Sequence, residues 1–402
     1  MGAACWAVIA AAGAMVITGE TTAQGTASAP PTARYFMDAA TSSNSMPMAS
    51  MMPGGGQARE LTLRLGSRLA PTGGEAKADH FMPAAMRLGA SVPLVSPTPA
   101  TQSGTPATTK PDAFKLPKAR LLIFWGCGAH AGPGQPVVID FSHLAAGKAP
   151  PSLYTANVPV ESGPTLASSR TFGDWPNASN GRPTSVNRSA SLIGDHRITG
   201  NYSPEIRFAL AQDFMPALKV QSSAAGDGST AMSWNPVAGA TGYYAMVMGG
   251  KSMGEDTADM VWWTSSATRE FGGGLQDWLS PATVSRLVGQ RIAMPASQTN
   301  CTVPAEVKRA AGGPLVGFMT AYGPEQDFAY PPRPANPRAA WRPDWTVTAR
   351  FKSSTTMMLG MPSMDSAMQG GGGEASQGPA PARKCRPSLG GMLGALAGAR
   401  IC

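Results

Sequence analysis

Between residues 230 and 248 two short apolar alternations flank a turn. Met232 and Trp234 fall on one face of the first run, and Tyr244, Met246 and Met248 share a face of the second. A period of two belongs to half-buried strands, and Pro236 to Gly242 supply turn residues between them. Similar runs recur along the chain. Leu61, Leu63 and Leu65 alternate, 119–125 and 136–141 are short buried-strand candidates, and 191–199, 205–210, 260–264, 315–319 and 345–351 extend the series. Only 14% of residues are charged, while Gly 47 and Pro 37 make about a fifth of the chain. That balance disfavours long salt-bridged helices and favours short strands joined by Gly/Pro turns. Two short helices are expected: one after Ser280-Pro281, with a serine cap and proline at the first position, and one over 303–310, ending at Gly312-Gly313.

The Trp234–turn–Tyr244 pattern resembles the second and third strands of a fibronectin type III-like sandwich. The resemblance implies a sandwich over 216–352 with Trp234 and Tyr244 in its core. The fold class expected is mainly β, with two β-rich domains: 57–215, and the fibronectin type III-like sandwich with short helical insertions at 216–352. Disordered Met/Gly/Pro-rich ends are expected to flank them, as a leader at 24–56 and a tail at 353–402.

Residues 3–18 form an uncharged apolar run, and Thr21-Thr22-Ala23 is a small-residue cleavage site, so 1–23 reads as a secretory signal peptide. Export to a periplasm or outer envelope, with membrane association, is the expectation. Four cysteines then remain: Cys127, Cys301, Cys385 and Cys402. In an exported protein these permit disulfides with three connectivities, and Cys385 and Cys402 are close enough in sequence to pair locally. The formal charge of +8 comes from scattered basic residues, mostly arginine. An exported basic chain meets anionic envelope polymers or lipid headgroups before it meets nucleic acid.

Chemistry-bearing clusters are few. Gly126 to Gly134 follows a strand but leads through Pro133 and Pro136 into another, so it reads as a hairpin connection and not as a phosphate loop. Cys127 and His130, with Asp140 and His143 nearby, offer a thiolate–imidazolium pair or part of a zinc set; the bland reading of Cys127 is a packed or disulfide-bonded residue. Trp175, Trp262 and Trp263 are candidates to stack on sugar rings. Met46, Met48, Met51 and Met52 in the leader, and Met357, Met358, Met361, Met364 and Met368 in the tail, have the thioether spacing of soft Cu(I) ligands, or are adaptable apolar contacts. Gly390, Gly394 and Gly398 would line one face of a short C-terminal helix suited to self-association.

These features lead to a non-catalytic envelope-associated binding or structural protein, with an envelope polymer, a lipid surface or a protein as partner and no cofactor. The alternatives are a cysteine-dependent enzyme using Cys127 and His130, and Cu(I) binding by the Met-rich ends.

Overall fold

The computed structural model describes residues 29–45, 56–97, 118–141, 158, 162–176, 186–252, 257–271, 274–336 and 339–359. The signal-peptide segment, the leader methionines Met46 to Met52, Met361, Met364, Met368 and the Gly390–Gly398 stretch lie outside them.

The protein is mainly β. The strands in chain order are β1 Ala33–Ser45, β2 Gln57–Ser67, β3 Ala78–Phe81, β4 Val92–Leu94, β5 Lys118–Trp125, β6 Val137–Asp140, β7 Thr171–Trp175, β8 Gly194–Gly200 and β9 Ile206–Leu210. They continue with β10 Val220–Ala224, β11 Thr230–Trp234, β12 Gly242–Ser252, β13 Thr257–Thr264, β14 Met294–Pro295, β15 Asn300–Val303, β16 Leu315–Tyr330 and β17 Trp345–Leu359. Two helices, α1 Pro281–Gly289 and α2 Ala305–Ala311, sit where their caps predict. The Ser280 hydroxyl accepts from Thr283 N at 3.3 Å, and Gly312 closes α2 at φ 65°.

A ten-stranded sheet runs in the order β6-β5-β13-β12-β16-β17-β1-β2-β7, with β14 paired to β12. Smaller sheets, β4-β3-β8-β9 and β10-β11-β15, accompany it. β5 and β6 pair antiparallel, so the 126–136 segment is the hairpin connection expected. Odd positions of β1 and β17 (Tyr35, Met37, Val347, Ala349, Phe351) join Leu61, Leu63 and Leu65 of β2 in one hydrophobic core. The same core takes Ile198, Ile206 and Phe208 from one small sheet and Met232, Trp234 and Val303 from the other. Segments 57–215 and 216–352 therefore share a sheet and a core.

Three expectations are corrected here. The leader expected over 24–56 contains β1, which lies between β2 (antiparallel) and β17 (parallel). Its Thr/Ser-rich end suggests disorder, but Thr41 to Ser45 lie in register with Ser353 to Met357, and Ser45 Oγ meets Thr355 Oγ1 at 2.9 Å. The tail expected from 353 begins instead as the end of β17, to Leu359. Trp234 and Tyr244 are both buried, but on different sides of the large sheet. Trp234 packs edge-on against Tyr243 at 5.6 Å, whereas Tyr244 belongs to a second cluster with Leu275, Val284, Leu287 and Tyr322. The 236–242 turn crosses from one sheet to another, so adjacent residues of β12 face different cores.

A buried polar chain ties the four-stranded sheet to β1. His196 Nε2 lies 2.7 Å from Leu192 O and must donate to that carbonyl. His196 Nδ1 is then the acceptor for His80 Nε2–H at 3.0 Å, and His80 Nδ1 accepts the Tyr35 hydroxyl at 2.7 Å. With the protons in this order both imidazoles are neutral. Burial, then the neighbouring His196, holds His80 well below the usual histidine range, and burial likewise lowers His196.

Candidate binding groove

The distal half of β16 departs from β12 at a bulge. The β16–β17 register shifts between Tyr322 and Glu325. At Gly323 a Cβ would fall 2.2 Å from Phe351 O, so only glycine fits this close approach. Beyond it, Glu325 to Tyr330 pair with β17, and among the described residues no strand pairs with their other edge. Phe208 of β9 and Phe328 of β16 approach to 5.2 Å, which brings β9 alongside this segment.

A groove of about 760 Å³ opens beside Phe328. Its walls come from β1 (Arg34, Phe36), β9 (Arg207), the end of β16, the start of β17 and the 332–341 connection. Tyr330 is 56% exposed and stacks on buried Trp345, with centroids 6.1 Å apart and planes 20° from parallel. Tyr330 is thus an exposed ring set beside a buried one. Arg333 lies over the Trp341 ring at 5.4 Å, and Trp341 Nε1 donates to Pro331 O at 3.0 Å. These contacts tie Pro331 and Arg333 to Trp341. Arg34 lies 5.1 Å over the Phe36 ring. Asp327 accepts the Thr348 hydroxyl at 2.8 Å, so the carboxylate is oriented along the groove wall.

On the same face as Arg34, Phe36, Thr346 and Thr348, further even positions of β1 and β17 carry a buried ion-pair cluster. Arg350 is bidentate on Asp38, at 2.7 and 2.9 Å, and Arg64 pairs with the same carboxylate. Arg34, Arg64 and Arg350 surround the Phe36 ring at 5.1, 6.0 and 5.1 Å. Two of the three guanidiniums have a shared carboxylate partner, whereas Arg34 leads into the groove.

The residues singled out from sequence fall elsewhere. Cys127 is joined to Cys301, 174 positions away, with Cα atoms 5.2 Å apart. A disulfide sulfur has neither a thiol to ionise nor a metal-ligand role, which corrects the cysteine-nucleophile and zinc readings. His130 is largely exposed, 3.3 Å from Glu306. Among the described residues no group of three or more His, Cys, Asp or Glu is placed to hold a metal. Trp175 is 5% exposed and Trp263 fully buried, its Nε1 donating to Gly126 O at 2.9 Å. Trp262 is packed against the cluster of Leu121, Ile123, Ile139 and Phe271. Trp175 and Trp263 present no open face, whereas Trp262 is half-buried. Met357 is buried in the main core, where Gly317 leaves room for it (a Cβ there would lie 2.8 Å from its terminal methyl); Met358 is on the opposite face of β17. Neither belongs to a flexible thioether cluster.

The groove residues carried a sequence signal of a different kind. Tyr330-Pro-Pro-Arg-Pro and Trp341-Arg-Pro-Asp-Trp345 place aromatic, Arg and Pro side chains in a short interval. Proline stiffens such a segment and aromatics there are contact residues. No family model matches the chain, and no curated protein matches it.

Proposed function

We propose that this is a non-catalytic, exported, envelope-associated protein that holds an extended polymer in the groove between β9 and the β16–β17 end. The observation that carries the reading is the exposed Tyr330 ring, backed by Trp345 and flanked by the Arg333–Trp341 pair on a strand-anchored frame. Flat apolar faces with polar rims suit sugar rings, and a pre-arranged frame lowers the ordering cost of binding. The Cys127–Cys301 bridge supports export, because structural disulfides persist in oxidising compartments.

The scaffold is read as fibronectin type III-like from β10 onward. Counting β10, β11, β12, β13, β15, β16 and β17 as seven successive strands, the first, second and fifth form one sheet. The fourth, third, sixth and seventh lie together in the other. Immunoglobulin-type sandwiches divide their strands in this manner, with first, second and fifth opposite third, sixth and seventh. In this reading the N-terminal half extends the sandwich at both edges of one sheet, through parallel pairing of β1 with β17 and of β5 with β13.

Co-sedimentation of the full chain with insoluble envelope polymer tests the function. Tyr330→Ala and Trp341→Ala are each expected to lower retention roughly tenfold, the loss of one well-placed aromatic contact. Retention unchanged in both variants contradicts the groove as the binding site.

A further inference from the structure

We propose that the groove takes an acidic glycan: a chain of sugar rings that lie against Tyr330 and Trp341 while their carboxylates meet Arg34, Arg207 and Arg333. This rests on the binding reading above and assigns its ligand class. Three guanidiniums line the groove with a single carboxylate, Asp327. Among the described residues neither Arg34 nor Arg333 has an acidic partner within ion-pair distance. Arg207 pairs with Glu205, but both are exposed (68% and 43%), a setting in which such pairs contribute little and exchange readily. The groove is therefore electropositive in a chain whose formal charge is already +8.

The cation type narrows the ligand further. All three are arginines, whose planar fork matches a carboxylate with two parallel hydrogen bonds; a lysine offers only a point charge. Arg333 and Arg34 each lie over an aromatic ring, at 5.4 and 5.1 Å, so their planes are held before a ligand arrives. Asp327 offers an acceptor for a sugar hydroxyl in the wall; its charge repels phosphate and carboxylate alike, so the polyphosphate and DNA arms of the test decide between those chains and an acidic glycan. Thr346 adds a hydroxyl along the same wall.

The test is isothermal titration of the oxidised full chain with oligogalacturonate, a neutral cello-oligosaccharide of equal length, inorganic polyphosphate and single-stranded DNA. Oligogalacturonate is expected to bind, and more weakly as salt rises. Arg207→Ala and Arg333→Ala should each weaken it roughly tenfold, in line with loss of one charged hydrogen-bonding group. Arg309→Ala, on α2 outside the groove, should leave it unchanged. Equal affinity for the neutral and acidic oligosaccharides, both lost in Tyr330→Ala, would overturn the acidic class while leaving the groove as a glycan site. Tighter binding of polyphosphate or DNA than of oligogalacturonate would also overturn it. Absence of binding to all four probes, together with wild-type retention of Tyr330→Ala on envelope polymer, would overturn both proposals.

Discussion

Asp38 joins β1 to β2 and to β17 through one buried carboxylate. It is 3% exposed, and its carboxylate is shared by Arg350, itself 4% exposed, and Arg64. Removing one member of a buried pair leaves a charge without compensation, and that costs about 3–5 kcal/mol. Asp38→Ala should therefore lower the urea midpoint by an amount equivalent to this range, with Asp38→Ala/Arg350→Met recovering part of it. A loss below about 1 kcal/mol would show that the cluster contributes like a surface pair. Little of this was legible in the sequence. Asp38 and Arg350 stand 312 positions apart, and their meeting depends on the β1–β17 register, which no local pattern encodes. Cys127 and Cys301 illustrate the same limit: oxidation was a foreseeable state, but the partner depends on Met232 pairing with Cys301 in the small sheet and on where the 126–136 hairpin lies.

At the level of elements, alternation identified strands well and their neighbours poorly. Leu61, Leu63 and Leu65 occupy the core face of β2, and Trp345, Val347, Ala349 and Phe351 do so in β17, as period two requires. β1 was missed because its Ala/Thr/Ser composition is that of a linker; it is stabilised as a strand by partners on both sides. The 236–242 turn was recognised as a turn, but its crossing between sheets follows from packing. The polar chain from Tyr35 through His80 to His196 joins β1, β3 and β8 and makes their association sensitive to acid. Both histidines have folded-state values lowered below the ordinary range. The unfolded chain therefore binds protons first as pH falls through about 6.5, and stability drops from there toward the lower folded-state values. Urea midpoints compared between pH of about 7.5 and about 5.5, above most carboxylate titration, should fall in the wild type. They should fall less in His80→Gln/His196→Gln. A slope equal in the two proteins would contradict the role of this chain.

For the whole molecule, the proposal is that three β-sheets around a shared core carry a binding groove at the free end of β16. The mainly β class followed from composition and period, since low charge and Gly/Pro turns leave few other solutions. The groove did not. Its walls come from β1, β9, β16 and β17, drawn from both halves of the chain, and of the three tryptophans singled out from sequence Trp175 and Trp263 are packed inside while Trp262 is half-buried. Only the Tyr330–Trp345 interval hinted at a contact surface. Hydrogen–deuterium exchange of the full chain with and without oligogalacturonate reads this claim most directly. The account predicts slowed exchange in residues 325–333 and 341–348 and in the β9 segment 206–210, with β13 (257–264) unchanged. Protection confined to the Trp262–Trp263 segment, or uniform across the described strands, would contradict it.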